Sequence, residues 1–275
     1  MLPFDQVDVF TNEFLSGAPL AVVHEADGLS QENMAAFARW IDLSETTFLL
    51  TPTAPSADYR VRIFTPSREL PFAGHPTLGS ARAWLSRGGS PKRTGSPVQE
   101  CGAGLIQLRQ SAERIAFAAP PLQRTGPIAS SDLVDIARTL RISVADIVDG
   151  QWVDNGPGWL VIMLADAAQV LELEPDLASL DRFKIGVVGM YPVDSPATCE
   201  VRAFTTETGR EDPVTGSLNA GIAQWLIGSG IAPAHFTSSQ GTRLRRSGRV
   251  HIDQIEGEIW VGGDTVIGIS GTVHL

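Results

Sequence analysis

The chain repeats part of itself. Val61-Arg62-Ile63-Phe64-Thr65 recurs as Val201-Arg202-Ala203-Phe204-Thr205, with four of the five residues identical. After a two-residue insertion the match resumes, and Glu69, Pro71, Gly74, Gly79 and Ala81 correspond to Glu211, Pro213, Gly216, Gly221 and Ala223. Leu78, Ala81 and Leu85 overlay Ala220, Ala223 and Ile227, an apolar helical face in both copies. Each half therefore carries a strand, a Pro/Gly loop and a core-facing helix, and such a repeat constrains architecture before any motif does. At 275 residues, a length where one core commonly divides into two, it predicts two similar domains. A plainer reading is fold repetition, with glycines that only turn the chain into a helix. The differences between the copies point further. Leu70 gives way to Asp212 and His75 to Ser217, so scaffold residues repeat while loop-facing polar residues diverge. One cleft shared by two domains would show that pattern. Helices starting at Gly74-His75 and Gly216-Ser217 would each aim unpaired N–H groups and a positive dipole end at it, forming an anion site.

The remaining elements follow from periodicity and punctuation. Two strands joined by a turn are expected around Val7-Val9 and Leu20 to Val23. Ser30 opens a helix with Met34, Phe37, Ala38 and Ile41 on one face, ending near Asp42. Strands follow at 46–50, 59–65, 105–109 and 114–118, with a helix over 75–86. Pro120-Pro121 and the stretch from Thr125 to Ser131 read as the domain boundary. Beyond it, Leu133, Ile136, Ala137 and Leu140 mark a helix, and Ser143 with Asp146 a short capped one. Strands are expected at 159–164, 184–189, 200–205, 249–252, 258–262 and 271–275.

Composition narrows the function classes. A net charge of −10 without any Lys/Arg block disfavours nucleic acid as a partner. The longest apolar run, Trp159 to Ala165, is too short to span a membrane, and the acidic start lacks a signal peptide's basic region. Two cysteines, Cys101 and Cys199, are too few for a disulfide framework and lack metal spacing, which fits a reducing, cytoplasmic setting. Gly102-x-Gly104 is not a dinucleotide fingerprint, no phosphate-loop motif occurs, and the five histidines form no metal motif. Arg243, Arg245, Arg246 and Arg249 read as a solvated strand edge.

Several motifs carry a family resemblance. Leu43-Ser44-Glu45-Thr46, Phe64-Thr65-Pro66, Gly74-His75-Pro76-Thr77-Leu78-Gly79 and Glu211-Asp212-Pro213-Val214-Thr215-Gly216-Ser217 appear in order, followed by Gln240-Gly241, Arg246-x-Gly248 and Gly262-Gly263…Gly271-Thr272. On these residues the chain resembles the PhzF-like isomerases of phenazine biosynthesis. One departure is Gly17-Ala18-Pro19, where the family usually has Gly-Asn-Pro, so a side-chain contact from that Asn is lost. The resemblance implies an α+β fold like that of diaminopimelate epimerase, two pseudo-symmetric domains each wrapping a curved, mainly antiparallel sheet or barrel round a central helix. The domains are expected at 1–124 and 125–263, with a last strand over 264–275 returning to the first. Epimerases of that fold use two catalytic cysteines, but Cys101 and Cys199 lie outside the repeated helix-start loops. The PhzF-like branch instead implies Glu45 as general acid/base, assisted by His75, Asp212 and Ser217, with no cofactor and a small carboxylate as substrate. A homodimer is the family analogy.

Each residue has a plainer reading from sequence alone. Glu45 is a surface carboxylate without the family, whereas in a cleft beside Phe48 its pKa would rise towards neutrality. His75 packs or caps beside Pro76, or serves as a ring that the helix dipole keeps neutral. Asp212 is a turn acid and Ser217 a helix N-cap, or both face substrate. In the expected enzyme, Gly74, His75, Gly216 and Ser217 bind the substrate while Glu45 moves a proton between its carbons. Two rivals use the same residues: a serine hydrolase with Ser217, His75 and Asp212, which lacks a G-x-S-x-G elbow, and a non-catalytic metabolite-binding protein.

Overall fold

The computed structural model describes residues 1–111, 114–180, 182–206 and 209–275. They fall into two compact units, residues 1–118 with 262–275, and residues 119–261.

The first unit contains β1 (Leu2–Val9), β2 (Ala18–Val23), α1 (Gln31–Ile41), β3 (Thr46–Leu50), β4 (Tyr59–Phe64), β5 (Glu69–Leu70), α2 (Gly74–Ser86), β6 (Val98–Cys101), β7 (Gly104–Ser111) and β8 (Arg114–Ala118). Ser30 caps α1 by accepting from the Asn33 N–H, and the helix buries Met34, Phe37 and Ala38. β1 and β2 are antiparallel, β2 and β3 parallel across α1, and β3 and β4 antiparallel. β4 and β6 are parallel across α2, and β6, β7 and β8 form an antiparallel meander. A long strand running from residue 258 to residue 273 pairs with both β8 and β1 and closes the ring. Helix α2 packs against β1, β2, β3, β4 and β8, so the barrel wraps around it.

The second unit repeats the plan with β9 (Arg124–Pro127), α3 (Ser130–Leu140), β10 (Asp149–Asp154), β11 (Trp159–Met163), α4 (Ala167–Glu172), β12 (Lys184–Met190), β13 (Cys199–Thr205), β14 (Arg210–Asp212), α5 (Gly216–Gly228), β15 (His235–Gln240), β16 (Gly248–Ile255) and the start of β17 (Glu258–Val273). Here β11 and β12 are parallel across α4, β12 and β13 antiparallel, and β13 and β15 parallel across α5. The sequence repeat thus reads as β4-β5-α2 and β13-β14-α5, and both helices are 13 residues long.

The repeated residues hold these elements in place. Arg62 makes a two-pronged ion pair with Glu69 and lies over the Phe64 ring, while Arg202 does the same with Glu211 and Phe204. Each pair staples a strand to the short strand after it. Gly79 and Gly221 are mid-helix residues, and neither merely turns the chain. A Cβ on Gly79 would fall 2.5 Å from a Leu20 methyl, and one on Gly221 would fall 2.5 Å from the Val153 carbonyl oxygen. The glycines therefore let each central helix approach the opening strands of its own unit.

The stretch from Thr125 to Ser131, read as part of the domain boundary, holds regular structure: Arg124–Pro127 is a strand paired with β10, and Ser130 begins α3. Gly126, at φ +99°, provides the special backbone there, and Pro127 is the last residue of the strand. The two closing strands expected at 258–262 and 271–275 are one continuous strand of 16 residues.

Candidate active site

In the first unit the site is built at the start of α2. Ala73 precedes the helix without a side-chain cap, and the first helical hydrogen bond runs from the Thr77 N–H to the Ala73 carbonyl. The N–H groups of Gly74 and His75 come before that bond and have no acceptor within the helix; Pro76 has no N–H to satisfy. His75 is 5% exposed, and burial pushes its imidazole down to about 3, so the ring is neutral across the physiological range. Burial, rather than the helix dipole invoked from sequence, is the cause. Glu45 lies in the short link between α1 and β3, and its side chain is 17% exposed. Its Oε2 sits 3.3 Å from the His75 Nε2. Two residues 30 positions apart in sequence are thus brought together as an acid–imidazole pair.

In the second unit the start of α5 carries the polar groups. Thr215, not Ser217, is the residue before the helix, and Ser217 lies within its first turn. The expected capping role for Ser217 is therefore corrected: its Oγ accepts from the Trp159 indole N–H at 3.0 Å, and its carbonyl accepts from Asn155. An indole donates only, so the Ser217 hydroxyl keeps its own proton for another partner. Asp212 ends β14, and its half-buried carboxyl accepts from the Thr215 hydroxyl. Desolvation pushes Asp212 up to about 6, with Glu211 adding to the rise while the Thr215 hydrogen bond and Lys184 oppose it. Trp159, Thr215 and Gln240 are the residues that sequence reasoning missed. Trp159 read as the first residue of a buried strand, and Thr215 and Gln240 as parts of motifs without a role of their own.

Cys101 ends β6 and Cys199 opens β13, and burial raises both thiols, Cys199 to about 12. Neither is suited to act as a thiolate at neutral pH. Among the described residues no cluster of His, Cys, Asp and Glu is arranged to hold a metal, and no helix is long and apolar enough to cross a membrane.

Two helix-centred barrels related by an internal repeat, with polar groups at both helix starts, define the epimerase-like isomerase class of fold. A solved PhzF-family structure from Bacillus anthracis shares it with a TM-score of 0.86 at 21% identity, covering 100% of this chain and 99% of that one. The family model for phenazine biosynthesis-like proteins matches residues 7–271, and the chain belongs to that family. A Schizosaccharomyces pombe relative named antisense-enhancing sequence 1 is 38% identical over 98% of this chain and 97% of its own. A Pasteurella multocida relative, named an uncharacterized isomerase, is 33% identical over 94% of this chain and 90% of its own. The trans-2,3-dihydro-3-hydroxyanthranilate isomerase of Pseudomonas aeruginosa is 53% identical over 77 residues, 28% of this chain and 27% of that one. Of the three readings drawn from the sequence, the family supports the enzyme, and the chain is an isomerase by class.

Proposed function

We propose that the enzyme moves a proton between carbons of a small carboxylate, cyclic or amino-acid-like, with Glu45 as general acid and base and without a cofactor. The observation that carries this reading is the approach of Glu45 to a buried, neutral His75. A ring with its pKa near 3 does not compete for the substrate proton at neutral pH. Its Nε2 faces Glu45 Oε2 at 3.3 Å outside hydrogen-bond geometry, and a small turn of either side chain would let the ring donate to that oxygen and hold the carboxylate in a single orientation. Glu45 takes a proton from an acidified C–H, the electron pair spreads into the adjoining π system, and the protonated Glu45 returns the proton to a second carbon. One C–H bond breaks and one forms, so substrate and product are isomers.

The N–H groups at Gly74-His75 and Gly216-Ser217 would receive the substrate carboxylate and the charge that develops on deprotonation. Asp212 and Ser217 would orient the substrate. The relative from Pseudomonas aeruginosa, named for a cyclic amino acid, supports that substrate class. Incubation with trans-2,3-dihydro-3-hydroxyanthranilate and related dihydro amino acids in deuterated buffer tests the proposal. The parent should exchange a carbon-bound proton, and Glu45→Gln should fold normally and lose that exchange at least a hundredfold. Undiminished exchange in the variant overturns Glu45 as the base.

A further inference from the structure

The polar network behind Asp212 does more than tether it. Gln240, at the end of β15, is fully buried. Its Oε1 accepts from the Thr215 backbone N–H at 3.0 Å and from Asn219 Nδ2 at 2.8 Å. A backbone N–H can only donate, so the amide's orientation is settled: oxygen faces Thr215 N, and Nε2 faces the other way. That Nε2 donates to the Asp212 carbonyl at 3.1 Å and to the Thr215 hydroxyl oxygen at 3.0 Å. A hydroxyl has one proton. With its oxygen already accepting from Gln240, Thr215 directs that proton to Asp212 Oδ2. Asn219 is fixed in turn, donating to the Thr215 carbonyl and accepting from Ser238.

The other unit supplies a comparison within the molecule. Asp212 corresponds to Leu70 and Thr215 to Ala73. In the parallel β13–β15 pair Gln240 stands opposite Val201, and continuing the β4–β6 register by one residue places Cys101 opposite the equivalent Val61. All three members are thus replaced in the first unit, although the strand, loop and helix that carry them are retained. Helix placement alone does not require the trio.

We propose that Thr215, with its hydroxyl direction locked by Gln240, is the positioning residue of the Asp212 carboxyl: it occupies Oδ2, favours the ionised form and leaves Oδ1 as the oxygen offered to substrate. The assignment of Asp212 to the reaction rests on the proposed function, whereas the effect of Thr215 on Asp212 does not. The charged groups facing this carboxyl are Glu211, itself paired with Arg202, and Lys184 from β12. None of them is altered by changing Thr215.

The test titrates the Asp212 carboxyl in the whole chain with ¹³C-labelled aspartate, its signal being identified by its loss in Asp212→Asn. Removing a donor to the ionised form must raise the midpoint, so Thr215→Val should shift it up by about one pH unit, tenfold in proton affinity. Thr215→Ser keeps the hydroxyl and should restore the parent midpoint. An unchanged midpoint in Thr215→Val, or a raised one in Thr215→Ser, overturns the proposal. Should Asp212→Asn retain full proton exchange with the dihydro amino acids above, the role of Asp212 in the reaction fails, while the titration still decides the role of Thr215.

Discussion

Burial moves the pKa values of two candidate site residues in opposite directions, and the consequences for stability are opposite too. His75 has a folded pKa of about 3 against an ordinary 6.5, so between these values the unfolded chain binds the extra proton. Its contribution is complete above pH 6.5 and is lost as pH falls towards 3. Asp212 has a folded pKa of about 6 against 3.8, so in that window the folded chain binds the extra proton, and its contribution is lost as pH rises through 6. Asp212→Asn should therefore be more stable than the parent at pH 7, by about 1 kcal/mol, and should lose this advantage near pH 4. Urea unfolding at the two pH values measures this. His75→Gln should show a flatter loss of stability between pH 6.5 and 4 than the parent. The repeated arginines also differ in consequence. Arg202 and Glu211 are only 5% and 7% exposed, and Arg202 donates to the Val170 and Leu173 carbonyls as well. Arg202→Ala should cost about 3–5 kcal/mol by stranding a buried carboxylate. Arg62→Ala breaks a pair exposed by 21% and 34% and should cost about 1 kcal/mol or less in the same unfolding experiment.

At the scale of elements, the two central helices make unequal demands on their glycines. In Gly221→Ala the new methyl meets a backbone carbonyl that cannot turn aside, and the change should destabilise by about 2–3 kcal/mol. In Gly79→Ala the neighbours are methyls of Leu20 and Val9 that can rotate, and the gain in helix propensity offsets part of the strain. That variant should fall within about 1 kcal/mol of the parent, as read by thermal unfolding. The same contrast explains what could be read in advance. Helix α1 is legible because Ser30 caps it and Met34, Phe37 and Ala38 mark its buried side. Strands β3 and β11 are legible as apolar runs. Strands β6 and β15 escape the same reading. Val98-Gln-Glu-Cys and His235-Phe-Thr-Ser-Ser-Gln are polar, yet Gln99, Ser238, Ser239 and Gln240 are buried because hydrogen bonds to the central helices or neighbouring strands satisfy them. The site divides likewise. Glu45, His75, Asp212 and Ser217 stand out through short local motifs, whereas the partnership of Trp159 with Ser217 joins residues 58 positions apart and leaves no local signal.

For the molecule as a whole, the decisive element is β17. Its last residues pair with β1 from Val9 opposite Thr265 to Leu2 opposite Val273. Ser270 also donates to the buried Asp5. Burial would raise the Asp5 carboxyl, but hydrogen bonds from Arg87, Ser270 and His24 hold it below its ordinary value. Deleting residues 264–275 therefore removes a whole strand partner together with one donor to a buried charge. Amide exchange should then lose protection across 1–118 and keep it across 119–261.

That connectivity also sets an order of assembly during synthesis. A chain leaves the ribosome from its N-terminus, and domains usually complete themselves in that order. Here residues 119–261 are contiguous and are made before residues 262–275, which β1 needs as a second strand partner. Of the two units, the one begun first is completed second.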